Sequence, residues 1–221
     1  MKISIHQPNF CPYFGFFNKI INSDVFVILD DVQIEYGVAN RNKIITKDGS
    51  WERIKVPVDK KYKFSLMTDV KIDNEYDWGS RILEQLSVYN ESEYFKKYEK
   101  FLNDTFNVSW DSLYELNMHL IDKILTSQGI TTKIVKSSDL DIKSNGSQRV
   151  VDICKVLSAD TYLSGGGGKK YLDVDLFKDI KLEWQELNQL EYAQVHSNSW
   201  MPKLSILDTM FNVESIIDCI K

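Results

Sequence analysis

The chain has 221 residues, a mass of 25.7 kDa, 43% hydrophobic and 27% charged residues and a net charge of −5, which predicts one folded domain spanning residues 1–221. The acidic balance without a basic block argues against nucleic acid as a partner, and 11 Phe, 11 Tyr and 5 Trp argue against a disordered chain. No apolar run approaches the roughly 20 residues of a membrane helix, His6 and Gln7 interrupt any secretory leader, and the separated Cys11, Cys154 and Cys219 predict reduced thiols in the cytoplasm with no metal site.

In chain order, residues 1–5 read as a buried strand that stops at His6-Gln7-Pro8. Proline lacks an amide donor and biases its predecessor away from the helical region, so Pro8 and Pro12 enclose a turn. Residues 13–21 cluster Phe and Ile as a short buried helix, and residues 25–29 form a β-branched run ending at Asp30-Asp31. Residues 43–46 and 51–58 read as a hairpin around Asp48-Gly49, residues 70–72 as a third strand, and three helices follow. One helix starts at the capping box Ser112/Glu115 and carries Leu113, Leu116, Leu120 and Ile124 on one face until Gly129. Another carries the stripe Phe95, Tyr98, Leu102 and Phe106. The last third alternates again: strand 132–135, a helix marked by Val150, Val151, Cys154 and Leu157, strand 161–163, then two helical stretches at 205–211 and 213–220. The fold class predicted is α/β, a mostly parallel Rossmann-like sheet with a β-hairpin and helical insertion in the middle, near residues 43–129.

Three places carry candidate chemistry. In open α/β sheets ligands sit beyond the carboxyl ends of strands, which singles out His6, Gln7 and Asn9 at the end of the first strand, with His6 a general base or hydrogen-bond donor. The run Ser164-Gly165-Gly166-Gly167-Gly168, followed by Lys169, offers a backbone free to take positive φ and to gather N–H groups around an anion. It fits neither Walker A nor G-x-G-x-x-G. Asp30 and Asp31 can orient a base or bind sugar hydroxyls, and Gln33 with Asn40-Arg41-Asn42 forms a compact donor set for a phosphate or carboxylate. The bland alternatives are turn residues, a satisfied strand-end histidine and a flexible glycine loop.

The stretch His6-Gln7-Pro8-Asn9, Pro12-Tyr13, Gly15, Phe17 and Lys19-Ile20 resembles the opening motif of the WbqC-like family. The resemblance continues through residues 24–33, Asn40-Arg41-Asn42, Tyr162-Leu163-Ser164-Gly165, Tyr171-Leu172, and Leu204-Ser205-Ile206-Leu207-Asp208 with Asn212. Val38 and Val213 depart from it, where the family often has Trp and Gly.

The resemblance implies a cytoplasmic role in O-antigen, lipopolysaccharide or other surface-glycan biosynthesis: transfer of an acyl or aminoacyl group, glycyl among them, to the amine of a nucleotide-linked amino sugar. The acyl donor stays open between a thioester and an ATP-activated carboxylate, and assembly as a homo-oligomer also stays open. On this reading His6, oriented by Asp30 or Asp31, is the base. The glycine run with Lys169 receives the diphosphate and offers N–H donors to an oxyanion. Tyr13, Phe14, Tyr171 or Trp200 supplies aromatic faces, and Ser205 and Asp208 join the binding set. The alternatives are an ATP-dependent amide ligase of nucleotidyltransferase-like fold, although Asn9 stands where that class has its second histidine, and a non-catalytic sugar-nucleotide binder.

Overall fold

The computed structural model describes residues 1–220. Its strands are β1 (Lys2–His6), β2 (Val25–Ile28), β3 (Arg41–Ile45), β4 (Trp51–Lys55), β5 (Lys133–Lys136), β6 (Thr161–Ser164) and β7 (Lys181–Trp184). Five of them make one sheet in the order β5-β2-β1-β6-β7, every neighbour parallel, while β3 and β4 pair antiparallel as a separate hairpin. The α/β expectation holds.

Both faces of the sheet are covered, which is why β2 reads as an unbroken apolar run. Ile3, Ile5, Val25 and Val27 pack on one face with Val151, Ile153 and Cys154 of a helix at Gly146–Val156. Phe26 and Ile28 pack on the other with Phe16, Phe17 and Ile20 of α1 (Phe14–Ile21). That second cluster runs on without a break into the middle of the chain, through α2 (Trp78–Leu86), α3 (Phe95–Phe106) and α4 (Leu113–Ser127). The Ser112 hydroxyl caps α4 by accepting from the Glu115 amide at 3.4 Å. Each fully buried Leu, Ile or Phe here contributes roughly 1.5–3 kcal/mol, so the helical middle is a wall of the principal core. The Gly146–Val156 helix is α5, and α6 (Ile206–Asn212) is capped by Ser205.

Four expectations change. Residues 70–72 make only two isolated bridges, Val58 to Ile72 and Lys71 to Ser112, beside a 3-10 turn at Met67–Asp69. Residues 213–220 contain a 3-10 turn at Ile216–Cys219 instead of an α-helix. The glycine run is a 3-10 turn, Gly166–Lys170, and none of its glycines has positive φ. Strand β7 was not anticipated: its Lys181 and Glu183 point outward, and Glu183 pairs with Lys2 and Lys181 at 2.7 Å each, the charged dressing expected on an edge strand. Among the described residues no helix is long and apolar enough to cross a membrane.

Candidate active site at the end of the first strand

Strands β1 and β6 lie side by side, yet the chain continues from β1 to β2 on one side and from β6 to β7 on the other. Such a reversal opens a crevice beyond the carboxyl ends of the two strands. His6 ends β1 and Ser164-Gly165 ends β6, and a hollow of about 280 Å³ lies between them. Its lining includes His6, Tyr13, Lys19, Glu35, the four glycines 165–168, Tyr171 and Gln185. A second hollow, about 330 Å³, shares His6, Tyr13 and Glu35 with the first and adds Asn9, Val38, Arg41, Lys43 and Arg53. The imidazole thus stands where a glycine-lined space meets a cationic one.

The Nδ1 of His6 donates to the Gln7 carbonyl oxygen at 2.9 Å, which leaves Nε2 with the lone pair. The ring meets Phe16 edge-on, centroids 5.3 Å apart. Burial, and then the charge of Lys19, push the His6 pKa down to about 3, against a smaller upward pull from the Gln7 carbonyl, so the ring is neutral at physiological pH. Lys19 projects from the last turn of α1 and is itself buried. Its Nζ donates to the Ile5 carbonyl at 3.2 Å, and burial lowers its pKa to about 7.

The surrounding loops are fixed by side chains reaching the backbone. Gln7 spans the 33–35 loop, with Nε2 donating to Gln33 O at 2.7 Å and Oε1 accepting from the Glu35 amide at 2.9 Å. Asn117, from the middle of α4, donates to Pro8 O and Ala39 O at 2.9 Å each. Cys11 sits at φ +42, and its carbonyl accepts from Asn42 Nδ2 at 2.6 Å and Ser205 Oγ at 3.0 Å. Burial raises its thiol pKa well above the ordinary value, so Cys11 is an inert thiol in the scaffold. Asn40 is buried and donates to Val56 O at 2.8 Å. Gln185 Nε2 bonds Gly15 O and Asn18 Oδ1 at 2.7 Å each, pinning the end of β7 to α1.

The glycines act through size. A Cβ on Gly168 would fall 2.2 Å from Ser164 Oγ, whereas Gly166 and Gly167 face open space. Lys169 lies outside both hollows, its Nζ 5.5 Å from the centre of the Trp184 ring.

Several predicted site residues are engaged elsewhere. Asp30 is buried and accepts from Ser138 N at 3.0 Å and Ser138 Oγ at 2.7 Å. Asp31 takes Nη2 of Arg149 at 2.5 and 2.6 Å and also accepts from Ser137 Oγ. Neither bonds His6, so the expectation that they orient it is corrected: the Gln7 carbonyl does so. Asp208 is buried and accepts from Tyr89, Tyr192 and Gln194 at 2.7–2.8 Å; burial raises its pKa despite those donors. Trp200 packs against Tyr192 with centroids 6.4 Å apart, and Phe14 is buried in the core. Of the aromatic residues expected at the site, Tyr13 and Tyr171 line the glycine hollow.

Lys19, Glu35, Lys43, Arg53 and Gln185 were not singled out from sequence as site residues. Lys19 left one signal, being the only charged residue in the eight of α1; the others left none. Among the described residues no three His, Cys, Asp or Glu side chains are grouped to hold a metal ion.

Comparison with known proteins bears on this geometry. The model of the WbqC-like protein family matches residues 7–216. The chain belongs to the WbqC-like protein family. This WbqC-like chain is also 29% identical over 219 residues to the uncharacterized protein Rv1507c of Mycobacterium tuberculosis, covering 96% of this chain and 94% of that one. Among solved structures, a zinc-bound AdcAII variant of Streptococcus pneumoniae aligns over 100% of this chain and 99% of that one, at 13% identity and TM-score 0.22, a likeness too slight to argue from. WbqC-like membership suggests involvement in glycan biosynthesis.

Proposed function

We propose that this WbqC-like protein transfers an acyl or aminoacyl group, glycyl among them, to the amine of a nucleotide-linked amino sugar. The observation that carries the reading is the meeting of two unlike hollows at His6. The cationic hollow, with Arg41, Lys43 and Arg53, matches the diphosphate of a sugar nucleotide. On this reading the phosphates sit at the hairpin and not at the glycine run with Lys169. The glycine-lined hollow takes the acyl donor, a thioester or an ATP-activated carboxylate, and Tyr13 and Tyr171 flank it.

In the reaction the amine nitrogen attacks the acyl carbonyl carbon. A C–N bond forms, the bond from that carbon to the leaving group breaks, and the leaving group departs with the bonding pair. The proton released by nitrogen passes to Nε2 of His6 and then to the leaving group. Holding both substrates in one crevice supplies the orientation on which amide formation depends.

The test is to incubate the purified protein with a UDP- or dTDP-linked amino sugar, together with glycine and ATP or with an acyl thioester, and follow product mass. The expected result is a sugar nucleotide heavier by one acyl group, absent for the corresponding hydroxy sugar and for His6→Ala. Binding without product under either donor would replace this reading with that of a sugar-nucleotide binder.

A further inference from the structure

Among the described residues, Lys19 is the only Lys or Arg lining the glycine hollow. The residue is 5% exposed, and its Nζ has one hydrogen-bond acceptor, the Ile5 carbonyl at 3.2 Å. The Phe26 ring lies on another side, its centroid 5.9 Å away. Among the described residues no carboxylate forms an ion pair with Lys19. An ammonium carries three donors, and burying it without a counter-charge is strongly unfavourable. The neighbouring surface is shaped to leave room beside it: a Cβ on Gly165 would lie 4.0 Å from Nζ and 3.9 Å from Gln185 Oε1, and Gly166 and Gly167 meet nothing within 4 Å.

We propose that this hollow receives one oxyacid group of the acyl-donor substrate, carboxylate or phosphoryl, with Lys19 supplying the charge that binds it. The identity of the ligand as the acyl donor rests on the transfer reading above; the anion site does not. The other groups facing the hollow are His6 from β1, Tyr162 from β6, Tyr13 and Tyr171 at the sides and Glu35 at the mouth. With the Lys19 pKa at about 7, arrival of an anion draws a proton onto an amine that is only partly charged.

The experiment titrates the intact protein with sulfate, fully ionised from pH 5.5 to 8.5, and with acetate, whose small protonated fraction at pH 5.5 is corrected for, by calorimetry in buffers of differing ionisation heat. Binding is expected with uptake of about half a proton at pH 7 and almost none at pH 5.5. Tighter acetate assigns a carboxylate, and tighter sulfate a phosphoryl group. Lys19→Met is expected to melt at a higher temperature, since it removes an unpaired buried charge, and to bind the preferred anion at least about tenfold more weakly. Absence of binding by both anions, binding without proton uptake at pH 7, or undiminished affinity in Lys19→Met would each overturn the proposal. Intact anion binding without any transfer product would overturn the transfer reading alone.

Discussion

Lys19 Nζ stands 3.2 Å from the carbonyl oxygen of Ile5, the residue that precedes His6 in β1. The amine and the imidazole therefore meet adjacent positions of one strand; burial depresses proton binding at both, and the Lys19 charge depresses it further at His6. The arrangement explains why neither needs a carboxylate partner to be held in place.

This placement fixes a pH dependence of stability. The folded pKa is about 3 for His6 against 6.5, and about 7 for Lys19 against 10.5. Between each pair of values the unfolded chain binds more protons, so stability rises with pH through both windows. Thermal melting followed by circular dichroism should climb from pH 7 to 9.5 in the wild type, and that climb should vanish in Lys19→Met. Below pH 6.5 the wild type should lose stability toward pH 3, and His6→Gln should lose less. Asp31, whose carboxyl is held below its usual value by its Ser137 and Arg149 partners, adds a loss of the same sign at the acid end.

Nucleotide binding should depend on the hairpin. Arg41→Glu and Arg53→Glu each reverse a charge lining the cationic hollow and should weaken a UDP- or dTDP-sugar by about tenfold or more. Lys169→Glu, whose ammonium lies over Trp184 outside that hollow, should change affinity by less than about twofold. Fluorescence or calorimetric titration of the three variants checks the order. An effect confined to Lys169 would return the phosphates to the glycine turn.

The four consecutive glycines should not be equivalent. Gly168→Ala forces a methyl group to within 2.2 Å of Ser164 Oγ and about 3 Å of Leu172 and Trp184, and should cost about 1–3 kcal/mol. Gly166→Ala and Gly167→Ala place the methyl in open space at ordinary φ, and should leave stability unchanged or raise it by about 0.5 kcal/mol. Urea melts distinguish the two classes.

The ion pair beyond the carboxyl end of β2 should behave asymmetrically. Arg149 is 10% exposed in its side chain and Asp31 30%. Asp31→Asn strands a buried guanidinium and should cost about 3 kcal/mol, moderated by the carbonyls of Ile142 and Ser144 that Nη1 also reaches. Arg149→Met strands a carboxylate that water can reach and should cost less. Neither change should alter transfer, because both residues lie outside the two hollows.

The crevice was legible in the sequence because its two landmarks are local. A β-branched run stopped by His6-Gln7-Pro8, and a strand opening into four glycines, mark carboxyl ends of strands wherever the rest of the chain goes. What surrounds them was not legible, because it depends on contacts distant in sequence. Asp30 and Asp31 read as free carboxylates, yet the serines that engage them lie more than 100 residues on. In the sequence Lys19 is one letter of a motif: a lysine on a short, mostly apolar helix is ordinarily at the surface, and only the packing of α1 on β1 and β2 shows that its amine is buried. The glycine run lines the hollow by the smallness of its residues and not by the left-handed backbone that its composition suggests.

The carbonyl of Cys11 gathers Asn42 from the hairpin and Ser205 from the start of the last α-helix, so one oxygen atom joins stretches made early and late in synthesis. A ribosome must therefore deliver the chain as far as residue 205 before the loop bearing the imidazole is locked. A nascent chain halted short of Ser205 would carry the imidazole, the buried amine and the glycines, yet the loop between them would lack one of the two side chains that hold it.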